Sequence, residues 1–118
     1  MKDLARAFKA LADETRLQMM ALILCEGELC VCDCMQVLDI SQSKASRHLR
    51  YLANAGLLDD RRETVWVYYR VASQLDADRS RLVKAVRQLF PPNRIADLRQ
   101  RLEEWRKQKS QGCAPASG

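Results

Sequence analysis

Residues 41–54 read SQSKASRHLRYLAN, and residues 56–71 read GLLDDRRETVWVYYRV. These two neighbouring stretches decide the fold. In the first, Ala45, Leu49, Leu52 and Ala53 recur at i, i+4, i+7 and i+8, the spacing of one helix face. At about 100° per residue, Ser43, Ser46, Arg47 and Arg50 fall on the opposite face. Ser41 is placed to cap this helix, and Asn54 and Gly56 are placed to end it. In the second stretch the period drops to two. Val65, Val67 and Tyr69 alternate with Trp66, Tyr68 and Arg70, as in a strand. The polar run Asp59–Thr64 predicts the turn of a hairpin whose first strand opens at Leu57–Leu58. No Asn-Gly or Asp-Gly fixes a tight turn, so a longer loop is expected.

Upstream, Val31, Met35 and Leu38 mark a short helix from about Val31 to Leu38. It is joined to the next helix by Asp39–Ser41, the arrangement of a helix-turn-helix. Before it, residues 2–12 carry Leu4, Phe8 and Leu11 at helical spacing. Asp13 is a plausible N-cap and Glu14 suits the first turn of the following helix. That helix shows a stripe of Leu17, Met20, Ala21 and Leu24 and can end at Gly27. Downstream of Asp76, Leu82, Val83, Val86, Leu89 and Phe90 mark a fifth helix that Pro91-Pro92 stop. Ile95, Leu98, Leu102 and Trp105 line one side of a sixth. The predicted fold is mainly α (α+β): a winged helix-turn-helix, helices with one β-hairpin wing. Residues 1–109 form one domain, and the polar tail 110–118 is expected to be disordered.

Length and composition agree. The chain has 118 residues, 47% of them hydrophobic and 30% charged, with a formal charge of +5. That suits one globular domain and not a disordered chain. No apolar run approaches the ~18–20 residues of a membrane span. The opening MKDLARAF lacks a signal-peptide pattern, so a cytoplasmic chain with no membrane partner is expected. The charge is uneven: net −3 over residues 1–40, +1 over 41–78 and +7 over 79–118. Excess cation suggests a polyanionic partner, or else a solvated helix face.

Local placement favours double-stranded DNA. Residues 41–50 hold three cations and no acid. A helix that enters the major groove presents its N-terminal residues to base edges. Gln42, Ser43, Lys44, Ser46 and Arg47 fit that place. Gln can pair with adenine and Arg with guanine, while Ser and Lys more often hold phosphates. Arg50 is assigned to the backbone further along, and Arg61 and Arg62 on the hairpin to flanking phosphate or minor groove. His48, the sole histidine, lies beside the apolar stripe and reads as a packing or phosphate-contacting residue. Trp66, Tyr68 and Tyr69 read as hairpin core.

Four motifs, ALADETRL at 10–17, ELCVCDC at 28–34, SQSKASRHL at 41–49 and GLLDDRRETVWVYYRV at 56–71, occur in this order. In them the chain resembles the arsenic-responsive branch of the ArsR/SmtB repressors over residues 4–75. The resemblance implies a homodimer, built on the first and penultimate helices, that represses from operator DNA and leaves it when an inducer binds.

Cys30, Cys32 and Cys34 supply three thiols within five residues. Soft thiolates select soft metals and metalloids, and As(III) and Sb(III) favour three sulfurs in a pyramid. They are the expected inducers, with no organic cofactor. On an ideal helix Cys32 would point ~200° away from Cys30, so capture by all three requires the start of the helix to distort. The arsenic-responsive pattern carries its third cysteine one residue later, where this chain has Met35. Cys34 therefore has a competing reading as a small buried hydrophobe. Cys113 in the tail is a possible substitute ligand, and Cys25 reads as core or partly exposed.

Rival readings are a cadmium, lead or zinc sensor, or a thiol-redox or persulfide sensor of the same fold. Zinc usually takes four N or S ligands. The family's alternative site on the penultimate helix needs histidine beside carboxylates such as Asp76 and Asp78, and residues 79–118 contain none. An enzyme is not expected: no Gly-rich phosphate loop, His-x-x-x-His or paired catalytic carboxylates are present.

Overall fold

The computed structural model describes residues 1–109. Six helices and three strands follow the predicted order, with one strand added. Helix α1 spans Lys2–Leu11 and α2 spans Glu14–Glu26. The Asp13 carboxylate accepts from the Arg16 N–H at 3.0 Å and starts α2, which ends at Gly27 with φ 93°. Strand β1, Glu28–Cys30, runs directly into α3, Val31–Leu38. Asp39 takes up the left-handed conformation (φ 53°, ψ 54°) that turns the chain into α4, Gln42–Asn54. The Ser41 hydroxyl caps α4 by accepting from the Lys44 N–H at 3.2 Å. The hairpin is β2, Leu58–Glu63, and β3, Trp66–Val71. Helix α5, Ala77–Leu89, is capped by Asp76, and α6, Pro92–Lys109, begins on a proline whose missing N–H is no loss at that position.

Two details depart from expectation. The sheet has three strands in the order β1-β3-β2, all antiparallel, and β1 is an addition to the predicted hairpin. Three residues are too few to show alternation. The turn is also tighter and later than expected. Glu63 pairs with Trp66, so only Thr64 and Val65 connect the strands, and Thr64 has φ 55°. Asp59–Glu63 is strand despite its polarity because β2 is an edge whose outward face meets solvent.

Helix α2 occupies the middle. Met19, Met20, Ala21, Leu22 and Ile23 are all buried, so it is covered nearly all round and not along one stripe. It meets α4, α5, α6 and β3. Leu49 and Leu52 anchor α4 beneath its polar face, and Tyr69 closes the core from the sheet. Leu98 and Leu102 bring α6 over α2 and α3.

Gly56 ends α4 at φ 80°. A Cβ there would lie 2.8 Å from Arg79 Nε, which is held in place by donating to the Ala55 carbonyl at 2.8 Å. Gly56→Ala therefore meets both backbone strain and an immobilised side chain. It should cost about 1–3 kcal/mol, read as a lower urea midpoint with unchanged slope.

Candidate nucleic-acid interface and thiol cluster

On α4, Ser43, Lys44, Arg47 and Arg50 stand in solvent, and Gln42 is half-buried at the first position. Ser46 departs from the expected pattern. It is half-buried, and its Oγ is enclosed with no hydrogen-bond partner. His48 is half-buried, with Nδ1 3.2 Å from Arg16 Nη1. Arg16 donates from Nε to the Ala10 carbonyl at 2.7 Å and lies 4.1 Å from the Tyr51 ring centroid. It thereby ties the ends of α1 and α2 to the middle of α4. Burial lowers the His48 pKa, with Arg16, Arg47 and Lys44 adding to the effect and Asp13 opposing it. The neutral imidazole accepting from Arg16 is thus the favoured form. Residue types alone give no sign of this tie, because the partners are 32 positions apart.

The two wing arginines differ. Arg62 is exposed. Arg61 reaches Glu28 on β1 at 2.6 Å, also pairs with Glu63, and lies 4.5 Å from the Tyr68 ring centroid. Its charge is largely answered within the sheet. Trp66 and Tyr68 are half-buried and Tyr69 is buried, so the aromatics serve mainly as hairpin packing.

The cysteines sit where β1 becomes α3. Cys30 is the N-cap residue, with extended backbone (φ −89°, ψ 166°), so helical angles govern only Cys32 and Cys34. All three are buried. Cys30 and Cys34 are free thiols, whereas Cys32 is disulfide-bonded and must be reduced before it can act as a ligand. Cys25, on α2, is free and exposed. Cys113 and the rest of the predicted tail lie outside the described residues. Among the described residues no three His, Cys, Asp or Glu side chains are gathered as a ready-made metal site. Burial pushes the Cys34 thiol well up. Burial and the neighbouring Asp33 charge also raise Cys30, against the hydrogen bonds from the Asp33 region and Lys109.

Asp33, between Cys32 and Cys34, is only 2% exposed. Its carboxylate accepts from the Cys30 N–H at 3.1 Å, from Trp105 Nε1 at 3.0 Å and from Lys109 Nζ at 2.9 Å. Burial alone would raise its pKa, but the Lys109 and Cys30 hydrogen bonds outweigh it and hold the carboxyl below its usual range. Lys109 Nζ also lies 3.2 Å from Cys30 Sγ. The capping-box spacing from residue 30 to 33 is the one sign of this arrangement that the sequence carries. Nothing in the sequence points to α6 as the source of the other donors.

A third feature is apolar. Phe8 is 55% exposed and Leu89 80% exposed, on α1 and α5. With Leu11, Leu17, Leu82 and Phe90 they line a shallow groove on one face. Among the described residues no helix is long and apolar enough to cross a membrane.

Comparison with known proteins agrees with this architecture. The family described as bacterial regulatory protein, arsR family, matches residues 13–60. The arsenic resistance transcriptional regulator ArsR1 of Pseudomonas putida is 46% identical over 100 residues, covering 80% of this chain and 78% of that one. The arsenical resistance operon repressor of Escherichia coli is 49% identical over 76 residues, covering 64% and 65% respectively. A homodimeric winged helix-turn-helix DNA-binding domain from Mycobacterium bovis, a possible ArsR-family regulator, superposes with TM-score 0.63 and 34% identity. That match covers 75% of this chain and 78% of the other. The chain is a winged helix-turn-helix protein and belongs to the arsR family of bacterial regulatory proteins.

Proposed function

We propose that the protein is a transcriptional repressor that binds double-stranded operator DNA as a homodimer and is released by As(III) or Sb(III). The observation that carries this reading is the placement of three cysteines at the start of α3, the helix joined by one short turn to the DNA-reading helix α4. Similarity to arsenic resistance regulators supports the choice of inducer. The exposed apolar face of α1 and α5 supports dimerisation, since a contiguous apolar patch of this kind is usually covered.

Gln42, Ser43, Lys44, Arg47, His48 and Arg50, with Arg62 and Arg61 on the wing, are the proposed DNA contacts; Ser46, whose hydroxyl is enclosed, is not among them. Their roles are not equal. Arg47 presents an exposed fork to a groove, whereas His48 positions α4 through Arg16. Arg61 has to give up its carboxylate partners to reach phosphate. Arg47→Ala should weaken operator binding by about 1–3 kcal/mol, and Arg61→Ala by much less. Anisotropy titrations at several salt concentrations check both, because removing one phosphate-binding cation lowers the salt slope by about 1.

Cys30, Cys32 and Cys34 are the proposed inducer ligands. Their chemistry suits a soft trivalent centre. The balance is simple: each thiol displaces one hydroxide from As(OH)3, its proton leaves with that hydroxide as water, and no oxidation state changes. Cys32 and Cys34 are ~200° apart around α3, so capture by all three requires its first turn to open. An operator titration with protein kept reduced by a phosphine, challenged with arsenite, antimonite, cadmium and zinc in turn, tests the reading. Arsenite and antimonite should release the DNA at concentrations that leave the fold intact. Release by cadmium or zinc alone would refute the choice of inducer.

A further inference from the structure

We propose that Asp33, Lys109 and Trp105 form a latch through which occupation of the thiol site repositions helix α6. This inference rests on the inducer-site reading above and adds the route by which that site acts on the rest of the fold.

The geometry is specific. Asp33 is the one buried charged side chain among the described residues, and it is flanked by two of the three cysteines. Of its three donors, one is the backbone N–H of Cys30 and two come from the last turns of α6, more than 70 positions away. Lys109 divides its ammonium between the Asp33 carboxylate and Cys30 Sγ, and lies 5.3 Å from the Trp66 ring centroid. The end of α6 is otherwise held by Leu102 in the core and by the Arg106 pair with Glu26 at 2.9 Å. A carboxylate, an indole N–H, an ammonium and a ligand sulfur therefore meet at one point.

Two consequences follow when Cys30 becomes a ligand. Its S–H bond is replaced by a bond to the bound ion, which draws the sulfur out of its present position 3.2 Å from Lys109 Nζ and weakens it as an acceptor. The 30–34 turn also has to open to bring Cys32 and Cys34 together, and Asp33, between them, moves with it. Trp105 and Lys109 then lose their common acceptor, and the last turn of α6 is freed. Because α6 packs on α2 and α3 and follows α5 across Phe90-Pro91, its movement reaches the helix that carries exposed Leu89.

Tryptophan emission reads the latch directly. The chain has two tryptophans, so Trp66→Phe leaves Trp105 as the sole reporter and keeps an aromatic face under Lys109. In this background, reduced with a phosphine, arsenite is added while near-ultraviolet sulfur-to-arsenic absorption reports binding. The Trp105 emission should shift to the red with the same midpoint as the absorption. Lys109→Met should produce most of that shift with no arsenite present, and Lys109→Arg, which retains the ion pair, should restore it. Allosteric couplings of this kind are usually 5–150-fold, and in Lys109→Met the arsenite-dependent ratio of operator Kd values should fall to about threefold or less. Absorption and operator release that saturate while Trp105 emission stays fixed would overturn the latch and leave the inducer site standing. A full arsenite-dependent ratio in Lys109→Met would do the same. Absence of the absorption would overturn the inducer site and the latch together.

Discussion

Serine in place of Cys30 or Cys32 should abolish release by arsenite while operator affinity stays within about twofold of the wild type, the range of substitutions that leave the interface alone. A hydroxyl is a poor ligand for a soft trivalent centre, so the site loses a donor that cannot be replaced in kind. The fold should tolerate the change at Cys30 well. That residue occupies the N-cap of α3, where serine is a favoured residue. Cys34 needs a different substitution. It is 1% exposed and packs in the core, where a serine hydroxyl without a partner would cost about 1–3 kcal/mol for reasons unrelated to ligation. Cys34→Ala separates the two effects. The account predicts that it too loses the response, through the loss of a third sulfur. The readout in each case is the ratio of operator Kd values with and without arsenite, normally 5–150-fold for such coupling and about one in the variants.

The largest stability effect should come from Asp33→Ala, at about 3–5 kcal/mol, because it leaves the charge of Lys109 with only the Cys30 sulfur and leaves two N–H donors without their acceptor. Lys109 is near the chain surface, with its side chain 23% exposed, and can turn partly into water, which places the expected value at the low end. The effect has a definite pH dependence. The folded carboxyl is held below its usual range, so its stabilising contribution is fully present above the unfolded carboxyl pKa, 3.8. It is lost as pH falls through the lower, folded value. Wild type and Asp33→Ala should therefore differ most near neutrality and converge in acid. Urea unfolding at a series of pH values measures this. A gap that widened on acidification would mean that the carboxylate is not the stabilising form.

The helix-turn-helix is legible in the sequence because its signals are local. The Ser41 cap, the Leu49 and Leu52 stripe and the Gly56 stop all lie within 16 residues, and the structure uses each of them. The same holds for the caps at Asp13 and Asp76 and the break at Pro91-Pro92. Sequence and structure part where the decisive partner is distant. Strand β1 exists because β3 pairs with it: Leu29 opposite Tyr69 and Cys30 opposite Tyr68, about 40 positions away. The hairpin turn closes later than expected because β2 is an edge strand, where polar residues give no alternation to read.

Charge shows the same division. The +7 of residues 79–118 leaves open, in the sequence alone, whether the C-terminal helices attract DNA. Much of it is answered inside the protein. Arg94 and Arg101 pair with Asp97, Arg99 and Arg106 with Glu26, Arg79 with Asp76 and Lys109 with Asp33. Most of these are exposed pairs worth little individually. Together they engage six of the ten cations of residues 79–118 with acids of the protein itself, so the stronger case for DNA is the local placement of cations on α4 and the wing. For the thiol cluster, residue types and spacing are visible in the sequence, but the backbone at Cys30 is not. Its extended conformation frees one of the three ligands from the helical register that constrains the other two.

The measurement that reaches the central claim most directly counts the sulfurs around the bound inducer. X-ray absorption at the arsenic edge, on phosphine-reduced protein loaded with arsenite, reports the first coordination shell. The account predicts three sulfurs and no oxygen in the wild type, falling to two sulfurs in Cys34→Ala. An oxygen-dominated shell in the wild type, or three sulfurs retained in Cys34→Ala, would contradict it.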